Sequence, residues 1–198
     1  MFGLDLLAQE PILIPGKPPF DRKEEILHDG KRYRIYNNYI TIGGSFFNSS
    51  LRTDVQKGLG LDFHFHIKRQ YFQTGIAISG YNFLENNQTQ MRFGYGYRKE
   101  TSKLNIAVFG GPTLFTGVYG VADTAGTYKA SFYSGVGAYA CAQAITKFAY
   151  DMGIGAELFG ELNYKQSIIG IKLLMFFSSA YRGLKKNYNP NVKSENKK

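Results

Sequence analysis

Apolar and polar residues alternate along most of this chain, and the polar positions are mostly small and uncharged. Leu59, Leu61, Phe63, Phe65 and Ile67 share one face, against Gly60, Asp62, His64, His66 and Lys68 on the other. Successive side chains of a strand point to opposite sides, so this spacing predicts a two-faced strand. Met91, Phe93, Tyr95 and Tyr97 alternate in the same way with Gln90, Arg92, Gly94, Gly96 and Arg98. Strands are predicted at 35–47, 58–68, 71–82, 89–99, 104–109, 128–144, 150–163 and 167–178. Gly110, Gly111 and Pro112 bend or end the fifth, and a longer connection is expected over 115–127. Short polar turns at Arg69–Gln70 and Lys99–Ser102 complete the pattern of an up-and-down barrel.

Alternation fits a soluble barrel of the lipocalin kind as well as a membrane barrel. The soluble alternative turns its polar face to water and fills it with Lys, Glu and Asp. Here the polar face of the third strand is Gln73, Gly75, Ala77, Ser79 and Tyr81, and that of the fifth is Asn105, Ala107, Phe109, Gly111 and Thr113. Small uncharged side chains suit the crowded interior of an eight-stranded barrel, which is barely wide enough for its own side chains. The opposite face carries the large residues that a lipid belt requires: Leu61, Phe63, Phe65, Ile76, Ile78, Phe93, Ile106, Ile171, Leu173 and Met175. Tyr39, Tyr71, Tyr81, Tyr97 and Tyr150 sit near strand ends, where interfacial girdles are expected.

Composition agrees with a barrel. Aromatics make up 16% of the 198 residues, Gly is abundant and Trp is absent. No run approaches the roughly 18 apolar residues of a membrane-spanning helix. The flanks differ in texture. Pro11, Pro15, Pro18 and Pro19 mark residues 1–32 as an N-terminal extension, with one or two helical turns expected over 21–27. Residues 1–9 lack a basic stretch and Asp5 interrupts their apolar run, so the barrel reading requires that the export signal was trimmed or the start misassigned. Residues 179–198 form a basic tail carrying Arg182, Lys185, Lys186, Lys193, Lys197 and Lys198, which holds much of the +9 net charge. A basic tail alone, with the aromatics on strands rather than among the lysines, does not make a nucleic-acid site. Cys141 is the only cysteine and lies between alanines, as a packed strand position.

From Tyr33 to Ser178 the chain resembles the small eight-stranded outer-membrane proteins of the OmpX and OmpA-transmembrane-domain type, among the Gram-negative outer-membrane β-barrel families. The resemblance rests on the strand pattern. It implies an all-β, eight-stranded antiparallel transmembrane barrel over 33–178 in the bacterial outer membrane. Both termini and the short turns are then periplasmic, and the longer connections extracellular. One departure is that such proteins often end on an aromatic of the last strand, whereas Phe176 and Phe177 are followed by the tail.

Seven ionisable residues fall on the predicted inner face: Asp62, His64, His66, Arg92, Glu157, Glu161 and Lys172. Both signs are present, which points to an ionic network that fills and rigidifies the lumen, since buried charges are costly unless paired. The alternative is an ion or proton path, or a site using two His and two Glu. His64 and His66 put two imidazoles on one face, the start of a metal site, but histidines in a lumen more often just hydrogen-bond, and no metal or cofactor is expected. Lipid-modifying barrels of the lipid A deacylase or acyltransferase type need a Ser or His at the outer rim, oriented by an acid. Ser49, Ser50 and Ser131 lie near rims, but His64 and His66 lie toward the other end and His28 is in the extension. The expectation is therefore a non-enzymatic structural or partner-binding subunit of an envelope complex. Its partners would be outer-membrane lipids and other envelope proteins, reached through the N-terminal arm and the basic tail.

Overall fold

A computed structural model describes residues 25–28, 31–34, 36–67, 70–80, 87–122 and 128–178. The first two segments, β1 (Glu25–His28) and β2 (Lys31–Arg34), pair antiparallel as a separate two-stranded sheet. The helical turn expected up to Leu27 is thus corrected at its end. Ile26 and Tyr33, with Leu27 and Arg32, pair as strand partners.

Eight strands then close a barrel: β3 (Tyr39–Ser49), β4 (Arg52–Ile67), β5 (Gln70–Ser79), β6 (Asn87–Glu100), β7 (Leu104–Ala122), β8 (Tyr128–Ala149), β9 (Met152–Leu162) and β10 (Ser167–Ser178). Each pairs antiparallel with its chain neighbour, and β10 pairs with β3 from Ser178↔Tyr39 to Ile168↔Ser49. Both flanking extensions therefore leave from the same end of the ring. The wall is staggered. Followed from Phe65, the partners Phe72, Tyr95, Gly110, Ala140, Gly160 and Ile169 lead to Asn48, near the top of β3, although Phe65 lies beside its start. Such stagger accompanies strands tilted against the barrel axis.

The barrel is inside-out relative to a soluble protein. Ile42, Leu59, Leu61, Phe63, Ile76, Ile78, Phe93, Ile106, Ile171, Leu173 and Met175 are exposed on the outer wall, with Phe65 half-buried beside Phe63 and Phe72. Thr41, Asp62, Gln73, Gln90, Arg92, Asn105, Gln143, Glu157 and Lys172 are buried inside. A water-soluble barrel would invert these two sets, so this is a transmembrane barrel.

Three connections differ from expectation. β7 does not stop at the Gly110–Pro112 stretch but continues to Ala122, and β8 begins at Tyr128, which removes most of the long connection over 115–127. Pro112 pairs with Ala138 on β8, while the pairing of β7 with β6 skips from Arg92↔Thr113 to Tyr95↔Gly110. The missing amide hydrogen thus interrupts one side of the strand and leaves the other intact. Second, β4 begins at Arg52 rather than at the expected 58, so β3 and β4 are joined by a turn at Ser50 and Leu51, after a register shift between Phe47 and Ser49. Ser49 Oγ accepts from the Leu51 amide at 3.2 Å, and the Ser50 amide donates to the Ser167 carbonyl at 2.9 Å, which ties the turn to β10. Third, β8 runs to Ala149, beyond the expected 144.

The tyrosine girdle is also corrected. Tyr39 and Tyr150 point inward and are buried; Tyr97 faces out, and Tyr81 lies outside the described residues. Among the described residues, Tyr95, Tyr97 and Phe148 face outward toward the end where β3 starts and β10 finishes, and Phe132 and Tyr164 toward the opposite end.

Candidate functional site

The lumen holds four buried acids (Asp62, Glu100, Glu157, Glu161) and four buried bases (Arg92, Arg98, Lys147, Lys172) among the described residues. They fall into three groups along the axis.

Midway, Lys172 on β10 places its Nζ 2.6 Å from Asp62 Oδ2 on β4 and 2.7 Å from Glu157 Oε1 on β9. Glu157 Oε2 accepts from Gln143 Nε2 at 2.6 Å, and Arg92 Nη1 lies 3.9 Å from Glu157 Oε1. Arg92 also donates to Gln90 Oε1 through Nε and Nη2, at 3.3 and 3.1 Å, and sits over the rings of Tyr139 and Phe159, 5.4 Å from each centroid. The expected residues Asp62, Arg92, Glu157 and Lys172 thus meet in one network. Gly75, across from Asp62, makes room for it, because a Cβ there would collide with the Asp62 carboxylate.

At the end where β3 starts and β10 finishes lies a group that sequence reasoning left out. Arg98 Nη2 donates to Glu100 Oε2 at 2.6 Å, and the Lys147 ammonium is paired with Glu100 Oε1. This group grips the chain just before β3. The Tyr36 amide donates to Glu100 Oε2 at 2.6 Å, and Arg98 Nη1 donates to the Asn37 carbonyl at 2.6 Å. Tyr36 is held at φ 58°, a left-handed conformation unusual for a residue with a side chain. Arg98 lies 4.3 Å from the centroid of the Tyr39 ring, a cation facing an aromatic plane. Glu100 had read as part of a polar turn and Lys147 lay past the expected end of its strand. Their signal was the strict alternation Arg98–Lys99–Glu100 and Ile145–Thr146–Lys147.

At the opposite end stands Glu161. Its Oε1 accepts from Gln88 Nε2 at 3.0 Å and from Asn163 Nδ2 at 3.4 Å. Gln88 Oε1 in turn accepts from the Tyr133 hydroxyl at 3.1 Å and Gln166 Nε2 at 2.5 Å. No base pairs with Glu161 among the described residues.

The two histidines part company. His64 is fully buried, stacks on Tyr39 with centroids 4.0 Å apart, and shares a hydrogen bond with Thr41 Oγ1 at 3.2 Å. His66, expected inside with it, is exposed at the strand end beside Tyr71, because the lumen opens there. The described residues contain no group of three or more His, Cys, Asp or Glu able to hold a metal. Cys141 is buried in an apolar cluster with Phe109, Tyr139 and Phe159. Ser49 Oγ is engaged with Leu51 and Gln56, and Ser50 Oγ with the Ser167 amide. These two serine hydroxyls lie at the end remote from His64 and His66, while the hydroxyl that does meet an imidazole, Thr41 Oγ1 at His64, is fully buried inside the barrel. The side chains of the basic tail and of His28 lie outside the described residues.

What this arrangement does chemically is close the tube. Paired charges, the amide side chains and two apolar clusters, Phe47–Phe109–Phe159–Ile168 and Tyr39–Ile145–Leu174–Phe176, fill the bore from end to end. No protein-family model matches the sequence, and no curated protein is detectably similar to it in sequence. Solved structures do match in fold. The attachment invasion locus protein Ail of Yersinia pestis superposes with a TM-score of 0.52 at 10% identity, covering 74% of this chain and 99% of Ail. Neisserial surface protein A superposes with a TM-score of 0.56 at 10% identity, covering 71% of this chain and 96% of that protein. The chain therefore shares the fold of the small eight-stranded outer-membrane barrels.

Proposed function

We propose that the chain is a non-enzymatic outer-membrane barrel of the Gram-negative envelope that works through its surfaces, as a structural or partner-binding subunit. The observation that carries this reading is the filled bore. A tube closed by interlocked ion pairs offers solute no open path, and the Thr41–His64 hydroxyl–imidazole pair is buried inside it, away from any substrate. What it offers a partner is its edges. β8 pairs with β9 only from Ala138↔Leu162 onward, so Tyr128–Gly137 has a backbone edge without a β9 partner among the described residues. Phe132 on this stretch is 80% exposed. An unpaired strand edge with exposed apolar side chains recruits a strand from another chain. In this reading the edge faces the cell exterior. The chain termini face the periplasm, where the arm and the basic tail, both leaving from the same end, serve as two further attachment points.

The test is co-purification from native envelopes in mild detergent. Phe132→Lys with Val136→Lys blunts the edge, and truncation after Arg182 removes the rest of the tail. The proposal expects the folded, heat-modifiable band to persist in both variants while co-purifying protein is lost from at least one. The same partners retained at the same yield by both variants would overturn it.

A further inference from the structure

The open edge of β8 ends on a side chain. β9 leaves the sheet at Leu162, opposite Ala138, and the chain turns back through 163–166 into β10. The turn is fixed from within. Asn163 Oδ1 accepts from the amides of Lys165 and Gln166, both at 2.9 Å, and the Asn163 amide donates to the Gln166 carbonyl at 3.0 Å. From this turn Tyr164 reaches across to β8, where its hydroxyl donates to the Ser134 carbonyl at 3.2 Å. That carbonyl is one a neighbouring strand would use. The N–H and C=O of a strand residue point to one side, and those of the next residue to the other. Ala130 and Phe132 therefore turn their backbone groups to the same side as Ser134.

The sequence makes room for the ring. A Cβ on Gly135 would stand 2.8 Å from it, and the ring packs against Phe115 with centroids 5.6 Å apart. Tyr164 nevertheless stays 63% exposed. It is laid on the edge rather than built into the sheet.

We propose that Tyr164 is a displaceable cap, its hydroxyl holding the place of the backbone amide that an incoming strand donates to Ser134. The occupant is an extended segment of another polypeptide, antiparallel to β8 and in line beyond the end of β9. The cap presupposes the docking edge proposed above and adds what closes it and what opens it. Direction argues against a second copy. Every pair of neighbours in the ring is antiparallel, whereas two copies in one membrane stand the same way up and bring their β8 edges together parallel. The side chains set the chemistry of the partner. The edge carries no charge from Ala130 to Gly137, and Phe132 and Val136 are exposed on its outer face. A strand with apolar residues at alternate positions covers both of them. β7 already supplies such a strand on the other side of β8, since Thr113–Ala122 is uncharged throughout and pairs with this stretch from Thr113↔Gly137 to Ala122↔Tyr128.

The probe is a synthetic peptide copying Thr113–Ala122, titrated into the full chain in detergent micelles and into empty micelles. The unaltered protein binds it above the empty-micelle background. Tyr164→Phe lacks the competing hydroxyl and binds it about 2- to 10-fold more tightly, the net worth of one hydrogen bond. The same peptide methylated on its amide nitrogens cannot donate to β8 and binds neither protein. Equal or weaker binding by Tyr164→Phe overturns the cap and leaves the docking edge standing. A plain peptide that binds neither protein above background, or a methylated one that binds as well as the plain one, overturns the docking edge and the cap with it.

Discussion

Lys172 reaches Asp62 by passing over an entire strand. The two residues lie on β10 and β4, with β3 between them, and their charged atoms are 2.6 Å apart. Gly43 on the intervening strand makes the crossing possible: a Cβ there would stand 3.0 Å from Lys172 Cγ and would also run into the Leu173 carbonyl. Because Lys172 also meets Glu157 on β9, one ammonium ties three strands on both sides of the β3–β10 closure.

Lys172→Met removes the shared cation and leaves two buried carboxylates facing each other. The expected cost is about 3–5 kcal/mol, the range for breaking a buried pair. Adding Asp62→Asn to Lys172→Met should recover part of that loss, so the double variant is less unstable than the sum of the singles. Urea unfolding in micelles measures the cycle. Strict additivity would show that the two side chains do not interact.

The outer wall should report depth. Phe63→Arg puts a charge in the middle of the lipid belt and is expected to cost about 2–4 kcal/mol. Val55→Arg, on the same strand and the same outward parity but toward the rim, should cost about 0–1 kcal/mol. Equal losses at the two positions would mean that the belt does not sit where the outward apolar residues place it.

Glu100 bridges Arg98, Lys147 and the Tyr36 amide, so Glu100→Gln should loosen the root of the N-terminal arm as well as the lumen. Two effects are expected together: a loss of about 3–5 kcal/mol in unfolding free energy, and faster tryptic cleavage after Arg34 in the still-folded protein. A destabilised barrel with unchanged cleavage would separate the arm from the ion group.

Gly75→Ala tests the space beside Asp62. The added methyl meets the Asp62 carboxylate and the Leu61 carbonyl. Overpacking of this kind typically costs about 1–3 kcal/mol. Gly44→Ala is the control, since a Cβ there meets nothing within 4 Å.

The faces of the strands were legible in the sequence because lipid and lumen make opposite demands on alternate residues. Phe63 beside Asp62, and Ile171 beside Lys172, are on opposite sides for that reason alone. Strand length was harder to read where local chemistry speaks against a strand. Gly110, Gly111 and Pro112 look like an end, yet the β8 ladder carries β7 through them. The outward Lys57 and the inward Lys147 each break an apolar run without breaking the pleat. Tyr39 and Tyr150 read as interfacial because tyrosine often is; the inward direction of Tyr39 follows from the parity of β3, whereas Tyr150 sits in the turn after the register shift between Lys147 and Ala149, against the parity of β8 and β9. The candidate site was half legible. The middle network follows from which charges share a face. The Arg98–Glu100–Lys147 group depends on a strand boundary, and the hydrogen bond from Gln88 to Glu161 depends on distances across the bore that no spacing along the chain encodes.

Pro112 gives the ring a direction in which to fail. Every other junction between strands is held by a continuous ladder or interrupted only near a rim, as at Phe47 and Ser49 or Lys147 and Ala149. Between β6 and β7 the gap falls in mid-wall, opposite Phe93 and Gly94, where no water can replace a lost hydrogen bond. Under heat or pulling force, the tube is therefore expected to split along this line and peel into two sheets. The line joining the first and last strands, which assembly must close, would outlast it.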